Sequence, residues 1–192
     1  MYKMIKLYRH GETIWNKEGR LQGWLDSPLT EYGKSQAKQQ SERVELVFSS
    51  DLGRAMETAA LMFPNHNALT DKRLREIYLG DWQGKYIFTL IEQLDYQCYA
   101  ERPGEFVANT QESFQAVTKR MQDFFEYLLT CAETTIAVVS HGVAIACLVA
   151  AVERRSLDYL WQDGLLEGGS YVTLCYENNK WQVIREKMPV RF

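Results

Sequence analysis

Thr134-Thr135-Ile136-Ala137-Val138-Val139, then Ser140-His141-Gly142, then Val143-Ala144-Ile145-Ala146-Cys147-Leu148-Val149-Ala150-Ala151-Val152 is the stretch on which the fold turns. Its first six residues are β-branched or apolar throughout, the pattern of a strand buried on both faces. The last block, rich in Ala and Val, reads as a buried helix. Taken as one apolar run, Ile136 to Val152 falls just short of the ~18 residues that a membrane-spanning helix wants, and Ser140-His141-Gly142 interrupts it near its middle. Strand, tight loop and buried helix is the better account, and it leaves an imidazole at the C-terminal end of a central strand.

The flanking sequence repeats that alternation. Met4 to Tyr8 is a short apolar strand ending in Arg9-His10-Gly11, and Leu29 to Glu42 is a helix capped by Thr30. Val44 to Phe48 is a second strand, followed by the cap-type residues Ser49-Ser50-Asp51 and a helix through Ala55, Ala59, Ala60 and Met62. Pro64 to Ala68 turns into a brief strand around Leu69, and Leu74 to Gly84 is irregular. Tyr86 to Tyr96 reads as helical. Asn109-Thr110-Gln111-Glu112 has capping-box form ahead of an amphipathic helix through Phe114, Val117, Met121, Phe124, Phe125 and Leu128. Tyr171 to Tyr176 and Trp181 to Arg185 form a closing hairpin. Strands alternating with helices predict an α/β fold with a mostly parallel central sheet flanked by helices, in one domain over residues 1–192. Sites in such sheets lie beyond the C-terminal strand ends.

Composition narrows the partners. In 192 residues, 22 Lys and Arg against 25 Asp and Glu leave a net charge of −3, with no long-range attraction for nucleic acid or an anionic membrane. The N-terminus lacks an apolar stretch of signal-peptide length. Cys98, Cys131, Cys147 and Cys175 form no CxxC pair and read as reduced, mostly core thiols of a cytoplasmic protein. No metal-ligand spacing is evident, so neither a metal nor another cofactor is expected. Oligomeric state, a dimer included, is not legible.

Arg9-His10 and His141 occupy equivalent strand ends, Arg54 opens the helix beyond the second strand, and Glu76 sits in the irregular loop. Two imidazoles, two guanidiniums and a carboxylate on one rim describe an anion site with a candidate acid. Leu7-Tyr8-Arg9-His10-Gly11-Glu12-Thr13 with Trp15-Asn16, Gly23-Trp24, Leu29-Thr30-Glu31-Tyr32-Gly33, Ser49 to Ala55, Leu74-Arg75-Glu76, Gly80 to Gly84 and Val139 to Gly142 follow one another along nearly the whole chain. In these blocks the sequence resembles the histidine phosphatase (phosphoglycerate mutase-like) superfamily.

The resemblance implies that superfamily's three-layer fold and gives the residues roles. His10 matches the nucleophile that takes the phosphoryl group; near neutral pH an imidazole keeps one lone-paired nitrogen. Its other nitrogen should donate to a backbone carbonyl, and Gly11 lets the backbone come close. Arg9 and Arg54 match the phosphate clamps, His141 a third cation once phosphate is bound, and Asn16 a neutral donor. Glu76 matches the general acid, returning as base toward water. Thr13, Gln22, Gly23 and Gly142 are the further substrate-binding candidates.

The short span from Glu76 to His141 carries the cations Lys85, Arg102, Lys119 and Arg120 but no paired-arginine loop like that of the mutases. The implied activity is therefore metal-independent hydrolysis of a small phosphomonoester. α-Ribazole phosphate, a phosphoglycerate or a sugar phosphate are the substrate options, and residues 86–110 shape the leaving-group pocket. A cofactor-dependent phosphoglycerate mutase and a catalytically silent binding relative are the alternatives. Trp15, Trp24, Trp82 and Tyr86 could wall a pocket or simply fill core. Arg20 and Lys17 could reach substrate but, as charged loop residues, read as solvated; His66 reads as part of a surface turn and Cys147 as packing.

Overall fold

The computed structural model describes residues 1–38 and 43–184. Six strands form one sheet: β1 (Lys3–Arg9), β2 (Leu46–Ser49), β3 (Leu69–Thr70), β4 (Thr135–Ser140), β5 (Tyr171–Glu177) and β6 (Lys180–Ile184), in the order β3-β2-β4-β1-β5-β6. The first four run parallel, while β5 and β6 are the antiparallel closing hairpin. Six α-helices accompany them: α1 (Ile14–Glu18), α2 (Glu31–Lys38), α3 (Gly53–Met62), α4 (Leu94–Glu101), α5 (Phe114–Leu128) and α6 (Gly142–Val152).

Alternate strand residues serve two cores, as the period of two requires. Tyr8, Val47, Ala137 and Val139 pack with Ala37 of α2 and Ala55, Ala59 and Met62 of α3. Ile5, Leu7, Ile136 and Val138 face the larger core, with α5 and α6. Both faces are covered, which gives the expected three layers, and β4 at the centre accordingly reads as an apolar run rather than an alternating one. The apolar stretch 136–152 divides into β4 and an 11-residue α6. Among the described residues, no helix is long and apolar enough to cross a membrane. All four cysteines are free thiols, two of them buried.

Several local expectations are corrected. α2 starts after Thr30, whose hydroxyl accepts from Gly33 N at 2.9 Å, but it is described only to Lys38, and 39–42 lie outside the described residues. Tyr86 to Tyr96 is not one helix: a 3-10 turn at Ile87–Thr89 precedes α4, which begins at Leu94. The cap of α5 is Ser113, accepting from Ala116 N at 3.2 Å, not Asn109. Glu112 is drawn away to Arg120, an ion pair of 2.8 Å. The cap-type residues before α3 do not cap it either. Asp26, from a distant loop, accepts from Gly53 N and Arg54 N instead. A side-chain cap is worth roughly 0.5–2 kcal/mol whichever part of the chain supplies it. The closing hairpin is described to Ile184, and 185–192 lie outside.

Candidate active site

Strand register brings the two histidines together. Arg9 of β1 lies opposite Ser140 of β4 in a parallel pair, so the next residues, His10 and His141, leave the sheet side by side. Their ring centroids are 5.1 Å apart. β2 is the other neighbour of β4, and the first turn of α3 beyond it carries Arg54 to the same rim.

His10 is buried, and its tautomer is dictated by its neighbours. An arginine Nε can only donate, and Arg54 Nε lies 3.3 Å from His10 Nε2, so that nitrogen keeps its lone pair. Nδ1 then carries the proton and donates to Gly11 O at 2.7 Å. Burial holds the imidazole well below the ordinary 6.5, with Arg54 and Arg9 adding to the effect. Gly11 has a further reason to be glycine: a Cβ there would sit 2.4 Å from Gly33 O, where the loop crosses α2.

Arg54 is almost fully buried and held from behind. Nη1 donates to Leu25 O at 2.9 Å and Asp26 Oδ1 at 2.8 Å, and Nη2 donates to Gly23 O at 2.8 Å. Those contacts aim the Nε and Nη2 edge, the fork that suits a phosphate, at His10. Gly23 adopts φ +55 to present its carbonyl. Arg9 Nη1 donates to Leu166 O at 2.5 Å, while its buried Nε has no partner. Burial lowers the pKa of both guanidiniums, with neighbouring carboxylates partly offsetting it, and both stay charged near neutral pH.

Glu76 is fixed at both ends. Its carboxylate accepts from Ile77 N (2.9 Å), Val143 N (3.2 Å) and Ala144 N (3.0 Å), the last two in the first turn of α6. Its backbone carbonyl accepts from Trp24 Nε1 at 2.7 Å and Arg120 Nη2 at 3.0 Å. Arg120 was legible only as a helix cation. Here its guanidinium also holds Arg73 O, Arg75 O and both oxygens of Glu112, so that its five donors pin the acid loop to α5. Capture of three carbonyls from a segment 44 to 47 residues away leaves no local sequence signal.

The remaining candidates occupy three kinds of position. Thr13, fully buried, caps α1 and grips Asn16 Oδ1 through its N–H and hydroxyl (3.1 and 3.0 Å), which leaves the Asn16 amide NH₂ as the end free for a ligand. Gln22 is 7% exposed, with its Oε1 unpartnered, and lines the cavity described below. Gly142 opens α6 against Arg9. Trp82 is core, Trp24 braces Glu76, and His66 Nε2 bonds Val44 O at 2.9 Å in a structural role. Burial raises the Cys147 thiol, in keeping with packing.

His141 has both ring nitrogens buried and unpartnered. Burial, then Arg54 and His10, hold its pKa well below 6.5. Without ligand, therefore, the cradle has two fixed cations, Arg9 and Arg54, and its second imidazole, His141, is neutral. Unfolding would let both imidazoles recover ordinary values and bind protons, so the stability they confer is present above about pH 6.5 and lost as pH falls below it. The expected loss is up to ~1.4 kcal/mol per pH unit for each histidine. Asp51, held low by Arg75, stabilises above its ordinary 3.8 and adds to the loss only below that value. Denaturant unfolding at pH 7.5 and 5.5 should show this loss, reduced in His141→Asn. An equal loss in the variant would refute the assignment.

Two clefts meet at Arg9, His10 and Asn16. One, of about 260 Å³, runs past Arg54, Glu76 and Gln22, and the other, of about 330 Å³, past Glu12, Tyr32 and Glu167. Among the described residues, no group of three His, Cys, Asp or Glu is placed to hold a metal ion.

Known proteins resemble this chain over most of its length. The family model described as histidine phosphatase superfamily (branch 1) matches residues 5–188. A probable phosphoglycerate mutase GpmB of Proteus mirabilis (strain HI4320) is 36% identical over 187 residues, covering 92% of this chain and 86% of that one. Among solved structures, Bacillus stearothermophilus YhfR is 32% identical with a TM-score of 0.89, covering 94% of this chain and 95% of that one. A mycobacterial glucosyl-3-phosphoglycerate phosphatase is 26% identical with a TM-score of 0.84, covering 95% and 97%.

Proposed function

Because the chain belongs to the histidine phosphatase superfamily (branch 1), we propose that it is a phosphomonoesterase that works through a phosphohistidine on His10. One observation carries this reading: His10 Nε2 is lone-paired and faces the donor edge of Arg54, with Nδ1 anchored on a carbonyl. On this reading a phosphate gives its oxygens to the Arg54 and Arg9 donors and the Asn16 amide, which line the same clefts as His10, and presents its phosphorus to that nitrogen.

Nε2 attacks phosphorus while the ester oxygen leaves, taking a proton from Glu76. Water then attacks the phosphohistidine, Glu76 takes the water proton, and the N–P bond breaks to restore neutral His10. The arginines neutralise the equatorial oxygens, the main demand of phosphoryl transfer. His141, neutral without ligand, takes up a proton beside the bound dianion and becomes the third cation.

Hydrolysis is favoured over mutase chemistry by the state of the cations between Glu76 and His141. Arg120 has its donors occupied, Arg102 pairs with Glu105 and Lys119 with Asp123, Lys85 is exposed to solvent, and none of the four lines the cavity. A second anionic group has no grip there. The test is phosphate release from 4-nitrophenyl phosphate and a panel of phosphomonoesters in EDTA, with 3-phosphoglycerate isomerisation assayed beside it in the presence of the bisphosphate. Metal-independent release is expected. Isomerisation outrunning release would overturn hydrolysis as the activity.

A further inference from the structure

The 260 Å³ cleft beyond Glu76, where the leaving alcohol must lie, is walled by Leu21, Ile77, Leu79, Ile87, Val143 and Leu165. Tyr96 and Tyr99 close it, Tyr99 stacked at 5.3 Å on Phe114 and therefore fixed. The neutral polar groups are few: the two phenols, Asn16 at the phosphate end, and Gln22 with one buried, unpartnered oxygen.

Arg20 is the one cation among the described lining residues that lies outside the phosphate cradle. Its guanidinium sits over Trp15 (4.1 Å) and Tyr86 (5.0 Å), with Nε on Gly84 O at 3.0 Å and Nη1 3.7 Å from Glu18. The rings cover its faces, Nε is engaged, and Glu18 offsets part of its charge, with both side chains partly exposed to water. Outward from Ile87 the same segment exposes Phe88, Ile91 and Leu94, so the apolar character continues past the mouth.

Resting on the phosphatase reading above, we infer that the preferred substrates are phosphate esters of compact, apolar alcohols, aryl or short alkyl, over those of carboxylated or polyhydroxylated ones. A carboxylate placed against the apolar walls would lose hydration, and the one cation near them, Arg20, is stacked between rings and already faces Glu18. A sugar would bring more hydroxyls than Gln22 and two phenols satisfy. The volume lies just under the roughly 300–1,000 Å³ of typical ligand pockets, which favours a small body.

Straight-chain alkyl phosphates test this cleanly, because their alcohols differ in length and scarcely in acidity. Across ethyl to hexyl phosphate, kcat/KM of the full chain should rise about 2–4-fold per methylene, the transfer value of a buried CH₂. Hexyl and phenyl phosphate should outrun 3-phosphoglycerate and glucose 6-phosphate, and Ile87→Ser should flatten the alkyl series. A series independent of length, or 3-phosphoglycerate fastest, in an enzyme that still hydrolyses 4-nitrophenyl phosphate would overturn this inference and leave the phosphatase reading standing. No hydrolysis of any ester and no phosphohistidine would remove both.

Discussion

His10→Ala is expected to lower kcat for every phosphomonoester by at least ~10⁴-fold, the scale on which removal of a nucleophile acts. The chemistry has no substitute: His141, the other imidazole in the cradle, is on this reading protonated beside the bound dianion and then has no lone pair to attack with, and Cys147 is buried with its thiol pushed upward. An alkaline quench of the wild type during turnover of a radiolabelled ester should trap an acid-labile phosphoenzyme, and His10→Ala should trap none. Phosphate binding should survive in the variant, because Arg54 keeps its hold on Gly23 O, Leu25 O and Asp26. More than a tenth of wild-type turnover in His10→Ala, or label in that variant, would end the phosphohistidine mechanism.

Glu76→Gln is the second large effect, and its size should depend on the ester. An alkoxide needs a proton as it leaves, whereas 4-nitrophenolate leaves without one. The expected loss is therefore ~10²–10⁴-fold for alkyl phosphates, the usual worth of general acid catalysis, and far smaller for release of nitrophenolate from the first turnover. Hydrolysis of the phosphohistidine also calls on Glu76, so the variant should show a burst of nitrophenolate followed by a slow steady state, with label accumulating on His10. Glutamine offers one acceptor oxygen where the carboxylate accepts three backbone N–H bonds, so a stability loss of ~1–3 kcal/mol should accompany it. Equal losses on both esters with no burst would remove Glu76 from the proton-transfer role and leave it a structural anchor.

Some of the site could be anticipated because its parts are local. The apolar run at 136–139 with a His-Gly break and the Arg9-His10-Gly11 strand end can each be interpreted within a few residues. C-terminal ends of parallel strands share one rim, so two histidines at such ends were expected on that rim, and strand order and register then set them side by side. Missed were the parts that depend on distant partners. Asp26 caps α3 across 27 residues of chain, and Glu112 leaves its expected capping role for Arg120. α1 follows a Thr-x-x-Asn box, which lacks the usual Glu or Gln at the third helical position. The segment 86–96 has helix-forming residues but turns at Ile87–Thr89, where its backbone pairs back to the loop at Gly19–Leu21: Ile87 N donates to Gly19 O and Leu21 N to Lys85 O.

By itself the sequence determined the alternating α/β arrangement and put Arg9, His10 and His141 at strand ends, with Arg54 and Glu76 in the helix and loop beyond, because hydrophobic period and residue type are properties of the chain. Tertiary structure alone decided the working state of those groups. The lone pair on His10, the neutral condition of His141 and the docking of Glu76 on α6 each arise from burial and from donors or acceptors contributed by remote segments. Electrostatic energies depend on distance in space and on exclusion of water, and neither quantity is written in the order of residues.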